Sequence, residues 1–174
     1  MCIKINVLSY IKMIGGIKME KIQTDLFHKN WALVTAGNKD NYNTMTISWG
    51  EIGTIWNLPV CSVYVKPIRY TYEYMESNEY FTVSFYEQEY KKDLGILGSK
   101  SGRDGDKVAL TSLTPMEVNH SMSFEQASVT LVCKKIYFQD LDVSRVPQEY
   151  VNKYYLTEEP HRMYIGEIVE VIEK

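Results

Sequence analysis

Asn43-Thr44-Met45-Thr46-Ile47-Ser48-Trp49-Gly50 alternates polar and apolar side chains along its length. In an extended chain successive side chains leave opposite faces, so Met45, Ile47 and Trp49 share one face and Thr44, Thr46 and Ser48 the other. A period of two carried by β-branched and aromatic residues marks a strand rather than a helix. The same pattern returns where Phe81, Val83 and Phe85 alternate with Thr82 and Ser84. Outward from these two, strand-like runs occur at Trp31–Thr35, Met45–Trp49, Val60–Val65, Tyr80–Phe85, Ser128–Tyr137 and Arg162–Ile172. Shorter helices are expected between them. Thr71–Glu76 follows a turn containing Pro67 and opens on a residue able to cap it. Gln88–Leu97 is followed by Gly98, a stop signal, and Pro147–Tyr154 carries a proline near its start. Many strands with a few short helices predict a mainly β chain, closed or nearly closed into a barrel.

Length and composition bound the answer further. The 174 residues suit one domain, and a hydrophobic content of 45% is enough for one core. No window holds the roughly 18 uninterrupted apolar residues that a membrane-spanning helix needs. A net charge of −3 predicts no general attraction to nucleic acid or to an anionic membrane. Cys2, Cys61 and Cys133 are too few and too scattered for a disulfide framework or a zinc cluster, which fits a reducing compartment, the cytoplasm. His28, His120 and His161 lack paired metal-ligand spacing, so no bound metal is expected. Residues 1–18 mix apolar residues with Lys4, Lys12 and Lys18 and contain Gly15-Gly16, without the cleavage site of a secretory signal. They read as an N-terminal extension outside the fold, with Met13 and Met19 as alternative starts and residues 19–174 as the domain. The 14 tyrosines and 3 tryptophans serve either strand packing or a ligand site with flat apolar walls and polar tips.

Four stretches could carry chemistry, and each also has a plain structural reading. Lys66-Pro67-Ile68-Arg69-Tyr70-Thr71 places two cations and a hydroxyl at a helix start. That suits a phosphate, or simply a capped surface helix. The Thr44, Thr46 and Ser48 face of the opening strand offers hydroxyls to the edge of a heteroaromatic ligand, or is merely a wet face. Gly98-Ser99-Lys100-Ser101-Gly102-Arg103-Asp104-Gly105-Asp106-Lys107 combines cations, serines and glycines in an anion-binding loop or a polar surface loop. It lacks the order of a nucleoside triphosphate loop. In His161-Arg162-Met163-Tyr164-Ile165-Gly166-Glu167-Ile168 a histidine stands at a strand mouth, able to act as a donor or as an acid near neutral pH. Gly166 within that strand marks a bulge or a close approach.

Taken together, in this order and separation, the N-T-M-T-I-S-W-G strand, the P-x-R-Y-T turn, G-S-K-S-G-R-D-x-D-K and H-R-M-Y-I-G-E-I resemble the flavin reductase-like family, in particular its flavoredoxin-type members. The resemblance runs from about Asp25 to Lys174. It implies a split β-barrel that binds FMN noncovalently, works as a homodimer and accepts hydride from NADH or NADPH. On this sequence it implies that Arg69 and Thr71 meet the FMN phosphate. Asn43, Thr44, Met45, Thr46 and Ser48 would line the ring and ribityl chain, and Ser99, Lys100 and Ser101 would approach the flavin or its phosphate. His161 would stand on the nicotinamide side as the catalytic residue. The leading expectation is an NAD(P)H-dependent FMN reductase. The alternatives are an FMN electron carrier with a redox protein partner, and a non-catalytic flavin-binding protein.

Overall fold

The computed structural model describes residues 25–174. The expected extension over residues 1–18 lies outside them, as do the first residues of the expected domain. After a helical turn over residues 25–28 come β1 (Ala32–Asn38), β2 (Asn41–Ile47), β3 (Gly50–Ile55), β4 (Leu58–Val65), α1 (Tyr70–Ser77) and β5 (Tyr80–Phe85). The second half holds α2 (Lys91–Ser99), β6 (Pro115–Val118), β7 (Ser121–Phe124), β8 (Val129–Asp140), α3 (Gln148–Tyr154) and β9 (Arg162–Glu173).

Seven strands form one sheet in the order β2-β1-β5-β8-β9-β4-β3, and β6 and β7 form a separate hairpin. Every pairing is antiparallel. The order puts β2 and β3 at opposite edges of the sheet, yet only Ser48 and Trp49 separate them in the chain. So short a link forces the sheet to curl until its edges approach. Among the described residues no ladder joins β2 to β3, so the barrel stays open along that seam. This is the split β-barrel the resemblance implied.

All six expected strands are present, and three further ones had not been expected. β3 is an exposed edge strand carrying two glycines, Gly50 and Gly53, and it shows no alternation of apolar residues. β6 and β7 are four residues each, too short for a period to register. The helices also differ in detail. α1 begins at Tyr70, with Arg69 in the cap position and no side-chain cap. Thr71 therefore does not cap it. Gly98 lies inside the last turn of α2 rather than after it, and a Cβ there would come within 3.1 Å of Thr46. The glycine admits close packing of α2 on β2.

Inside the barrel, Val34, Ala36, Val63, Phe81, Val83, Leu131, Cys133 and Tyr164 make one core. On the outer side of β1 and β5, Leu33 packs with Leu94 and Leu97 of α2, Leu113 and Phe124. Because the β6–β7 hairpin covers this side, the polar face of β5 is dry rather than wet. Thr82 and Ser84 are fully buried. Thr82 donates to the Met122 carbonyl at 2.6 Å, and Ser84, Ser123 and Thr130 form a closed triangle of hydroxyls at 2.7–3.0 Å. Buried hydroxyls must be bonded in this way to be tolerated.

Gly166 of β9 pairs with Cys61 of β4 and Lys135 of β8. The ladder slips beside it, between Lys135 and Tyr137, so a bulge and a close approach both occur. The approaching groups are the protein's own: a Cβ at Gly166 would lie 2.6 Å from the Cys133 Cβ and 2.7 Å from the Phe81 ring. Gly166→Ala is therefore expected to destabilise the fold by about 1–3 kcal/mol through overpacking. Urea denaturation with an unchanged m-value checks this, and wild-type stability in the variant would contradict it.

Candidate functional site

A cleft opens along β2, between the β4–α1 turn and the loop that follows α2. One end is lined by Asn43, Arg69, Thr71, Lys100, Arg103 and Lys107 among others. The other is lined by Thr46, Ser48, Trp49, Tyr64, Lys66 and His161. Met45 and Arg69 line both ends, so the two pockets adjoin along one groove.

Ten of the eleven residues singled out in the sequence line this groove: Asn43, Met45, Thr46, Ser48, Arg69, Thr71, Ser99, Lys100, Ser101 and His161. Thr44 is the exception. It is fully buried, accepts a hydrogen bond from the Thr35 hydroxyl at 2.8 Å and donates to the Val34 carbonyl at 3.2 Å. The expectation that the Thr44 side chain lines a ligand pocket is corrected: β1 pairs alongside that stretch and takes up its hydroxyl. Thr46 is partly engaged as well, donating to the Leu94 carbonyl of α2.

Asn43 ties the site together. Its side-chain amide donates to the Thr71 hydroxyl at 2.7 Å, and its Oδ1 lies where a side chain at position 102 would otherwise sit. Only glycine at 102 lets the loop after α2 approach β2 this closely. Arg103 closes the same corner, donating to the Ile68 carbonyl at 3.0 Å, pairing with Glu73 at 2.5 Å and lying 5.0 Å from the Tyr70 ring centre.

The electrostatics of this end are one-sided. Lys107 is buried and donates to the Leu97 and Lys100 carbonyls at 2.9 and 3.1 Å. Burial, followed by the neighbouring Arg69 cation, pulls its pKa down to about 8. Among the described residues, no carboxylate lies within salt-bridge distance of the Arg69 guanidinium. The cations are held close enough to oppose each other's charge, a field that an anion would relieve.

At the other end the His161 ring lies 4.6 Å from the Trp49 ring, and its Nδ1 is 3.2 Å from the Tyr155 hydroxyl. Burial lowers its pKa to about 4; Lys66 and Arg69 add to this, and Glu158 opposes it. The ring is neutral at neutral pH, so it serves as a hydrogen-bond donor or acceptor there. The sequence reading also allows it to act as an acid near neutral pH, a role that this lowered proton affinity disfavours in the free chain. Lys66, Trp49, Lys107, Tyr155 and Glu158 were not singled out as site residues. Lys66, Trp49 and Lys107 stood within the quoted motifs, whereas Tyr155 and Glu158 come from the irregular connection between β8 and β9, where no periodicity exists to be read.

A cation-lined pocket thus lies beside an aromatic-walled one along an edge strand of a split barrel. The chain matches the flavin reductase like domain over residues 24–174, and it belongs to that family. Among solved structures it is similar to flavoredoxin from Methanosarcina acetivorans, with 21% identity over 91% of this chain and 76% of that one and a TM-score of 0.65. It is also similar to flavoredoxin of Desulfovibrio vulgaris, with 23% identity over 83% and 69% and a TM-score of 0.64. An FMN-binding protein from Thermus thermophilus with bound p-hydroxybenzaldehyde shares 19% identity over 83% and 71%, with a TM-score of 0.67. No curated protein sequence matches the chain.

The low affinity of His161 for protons has a consequence for stability. Its folded pKa of about 4 lies below the ordinary 6.5, so the unfolded chain binds this proton first. Stability from this group is present above about 6.5 and declines as the pH falls toward 4. An NMR titration should place the His161 midpoint near 4, and His161→Gln should lose this part of the pH dependence. A midpoint near 6.5 would contradict the site as described.

Proposed function

We propose that the cleft binds FMN and that the chain reduces it with NADH or NADPH. The observation that carries this reading is that the cationic pocket and the aromatic one adjoin, with Met45 and Arg69 lining both. The residues present suit the group. A phosphate dianion matches the paired donors of Arg69, the start of α1 and the Ser99–Ser101 segment. A tricyclic ring matches the groove beside Met45 and Trp49, with Thr46, Ser48 and His161 along its edge.

When bound, FMN supplies the hydride chemistry itself. The task of the chain is to hold and to orient. Arg69 and Thr71 anchor one end of the ligand, and Asn43 fixes Thr71. Neutral His161 offers a hydrogen bond at the other end without placing a third cation beside Lys66 and Arg69. Trp49 and Tyr64 line that end, with Tyr154 packed edge to face behind Trp49 at 5.2 Å, and so limit the access of water.

A cytoplasmic homodimer belongs to the same proposal. Trp56 at the β3–β4 turn and Tyr137 and Phe138 on β8 are exposed aromatic residues of the kind that interfaces cover. The likeness to two flavoredoxins supports electron exchange with a protein partner as a second reading.

Visible spectra recorded anaerobically separate the two. FMN that binds and bleaches promptly on addition of NADH or NADPH supports the reductase, whereas bleaching by dithionite alone supports the carrier. Failure to bind FMN would overturn both readings. Arg69→Ala is expected to weaken FMN binding by about 1.5–3 kcal/mol, the range for a charge-assisted hydrogen bond. Unchanged affinity in a fluorescence titration would remove Arg69 from the site.

A further inference from the structure

Among the described residues, Glu158 is the only acidic one lining the cationic end of the cleft, where Arg69, Lys100, Arg103 and Lys107 also stand. Its Oε2 is 2.5 Å from Lys66 Nζ. The same ammonium donates to the Tyr154 carbonyl at 3.0 Å and stands 5.6 Å from the Tyr155 ring centre. Lys66 thus gathers three points of the connection between β8 and β9.

That connection has little else to hold it down. Its helix α3 buries no residue, and Leu156 is 69% exposed. Trp49 against Tyr154 and Tyr155 against His161 are the aromatic contacts at the same place. The hydrogen bond and charge of Lys66, reinforced by Arg69 and His161, hold the Glu158 carboxyl below its ordinary range. Glu158 is therefore an anion at the pH where a phosphate would be a dianion.

A carboxylate and a phosphate drawn to the same cations repel each other. We propose that Glu158 competes with the phosphate of the ligand for these cations, and so sets both the charge selectivity of the cleft and the closure of the 141–161 connection over it. This rests on the reading of a phosphate-bearing flavin. The carboxylate discriminates against weakly held anions, and a ligand that wins the cations loosens the strap that Glu158 fastens.

Glu158→Gln tests this, since the side chain is 41% exposed and the amide keeps its shape. Wild type and variant are titrated with FMN and with riboflavin by flavin fluorescence, and with inorganic phosphate by phosphorus NMR. The variant is expected to bind FMN on the order of ten-fold more tightly, as for removal of one repelling charge near the ligand, with riboflavin unchanged. Trypsin should also cut faster after Lys153 in the variant. A merely structural Glu158 would give the opposite sign, because losing its contact would weaken binding. FMN affinity that is unchanged or reduced in the variant overturns the proposal. If wild type binds neither flavin, the FMN reading falls by itself and inorganic phosphate decides: tighter binding to the variant supports competition, and equal binding overturns it.

Discussion

The hydrogen bond from Asn43 to Thr71 is the point on which the cleft depends. Asn43 belongs to an edge strand, Thr71 to the first turn of α1, and Gly102, pressed against Asn43, to the loop after α2. Three elements distant in sequence meet at one buried amide. If Asn43 moved, Arg69 would lose its orientation toward the groove and the Ser99–Ser101 segment would lose its distance from β2. A buried donor of this kind is costly to leave unbonded, so the geometry is enforced rather than merely favoured.

Around that junction the protein concentrates positive charge and neutralises only part of it: Arg103 pairs with Glu73 and Lys66 with Glu158, whereas among the described residues Arg69 and Lys107 have no carboxylate partner. Lys107 is buried and bonded only to carbonyls, while Arg69 faces the groove and lowers the proton affinity of both Lys107 and His161. Such an arrangement costs stability in the free chain and is useful when an anion is to be held. Burial, with Lys66 and Arg69 adding to it, likewise keeps the His161 imidazole unprotonated beside the groove.

The polar faces of the strands divide between two uses. On β5, Thr82 is satisfied by the Met122 carbonyl and Ser84 by the Ser123 and Thr130 hydroxyls, beneath the β6–β7 hairpin and with no access to a ligand. On β2, Thr44 is taken up by β1 while Thr46 and Ser48 reach the groove. Both strands carry the same alternation of residues. Their different roles follow from what packs on them: a hairpin covers one, and the seam of the barrel leaves the other partly open.

Alternation in β2 and β5, and the long apolar runs of β8 and β9, made the β class legible in the residues alone, because a period of two is imposed by backbone geometry wherever one face is buried. The motif order, from N-T-M-T-I-S-W-G to H-R-M-Y-I-G-E-I, likewise made ten of the groove residues legible, since their chemistry lies in local stretches. Short strands without a period, β3, β6 and β7, were not. Nor were the burial of Thr44, the depressed proton affinity of His161 or the reach of Glu158 into the cationic end. Each of these depends on groups far apart in the chain, on distance and desolvation that exist only once the sheet has curled and the connection to β9 has folded back across it.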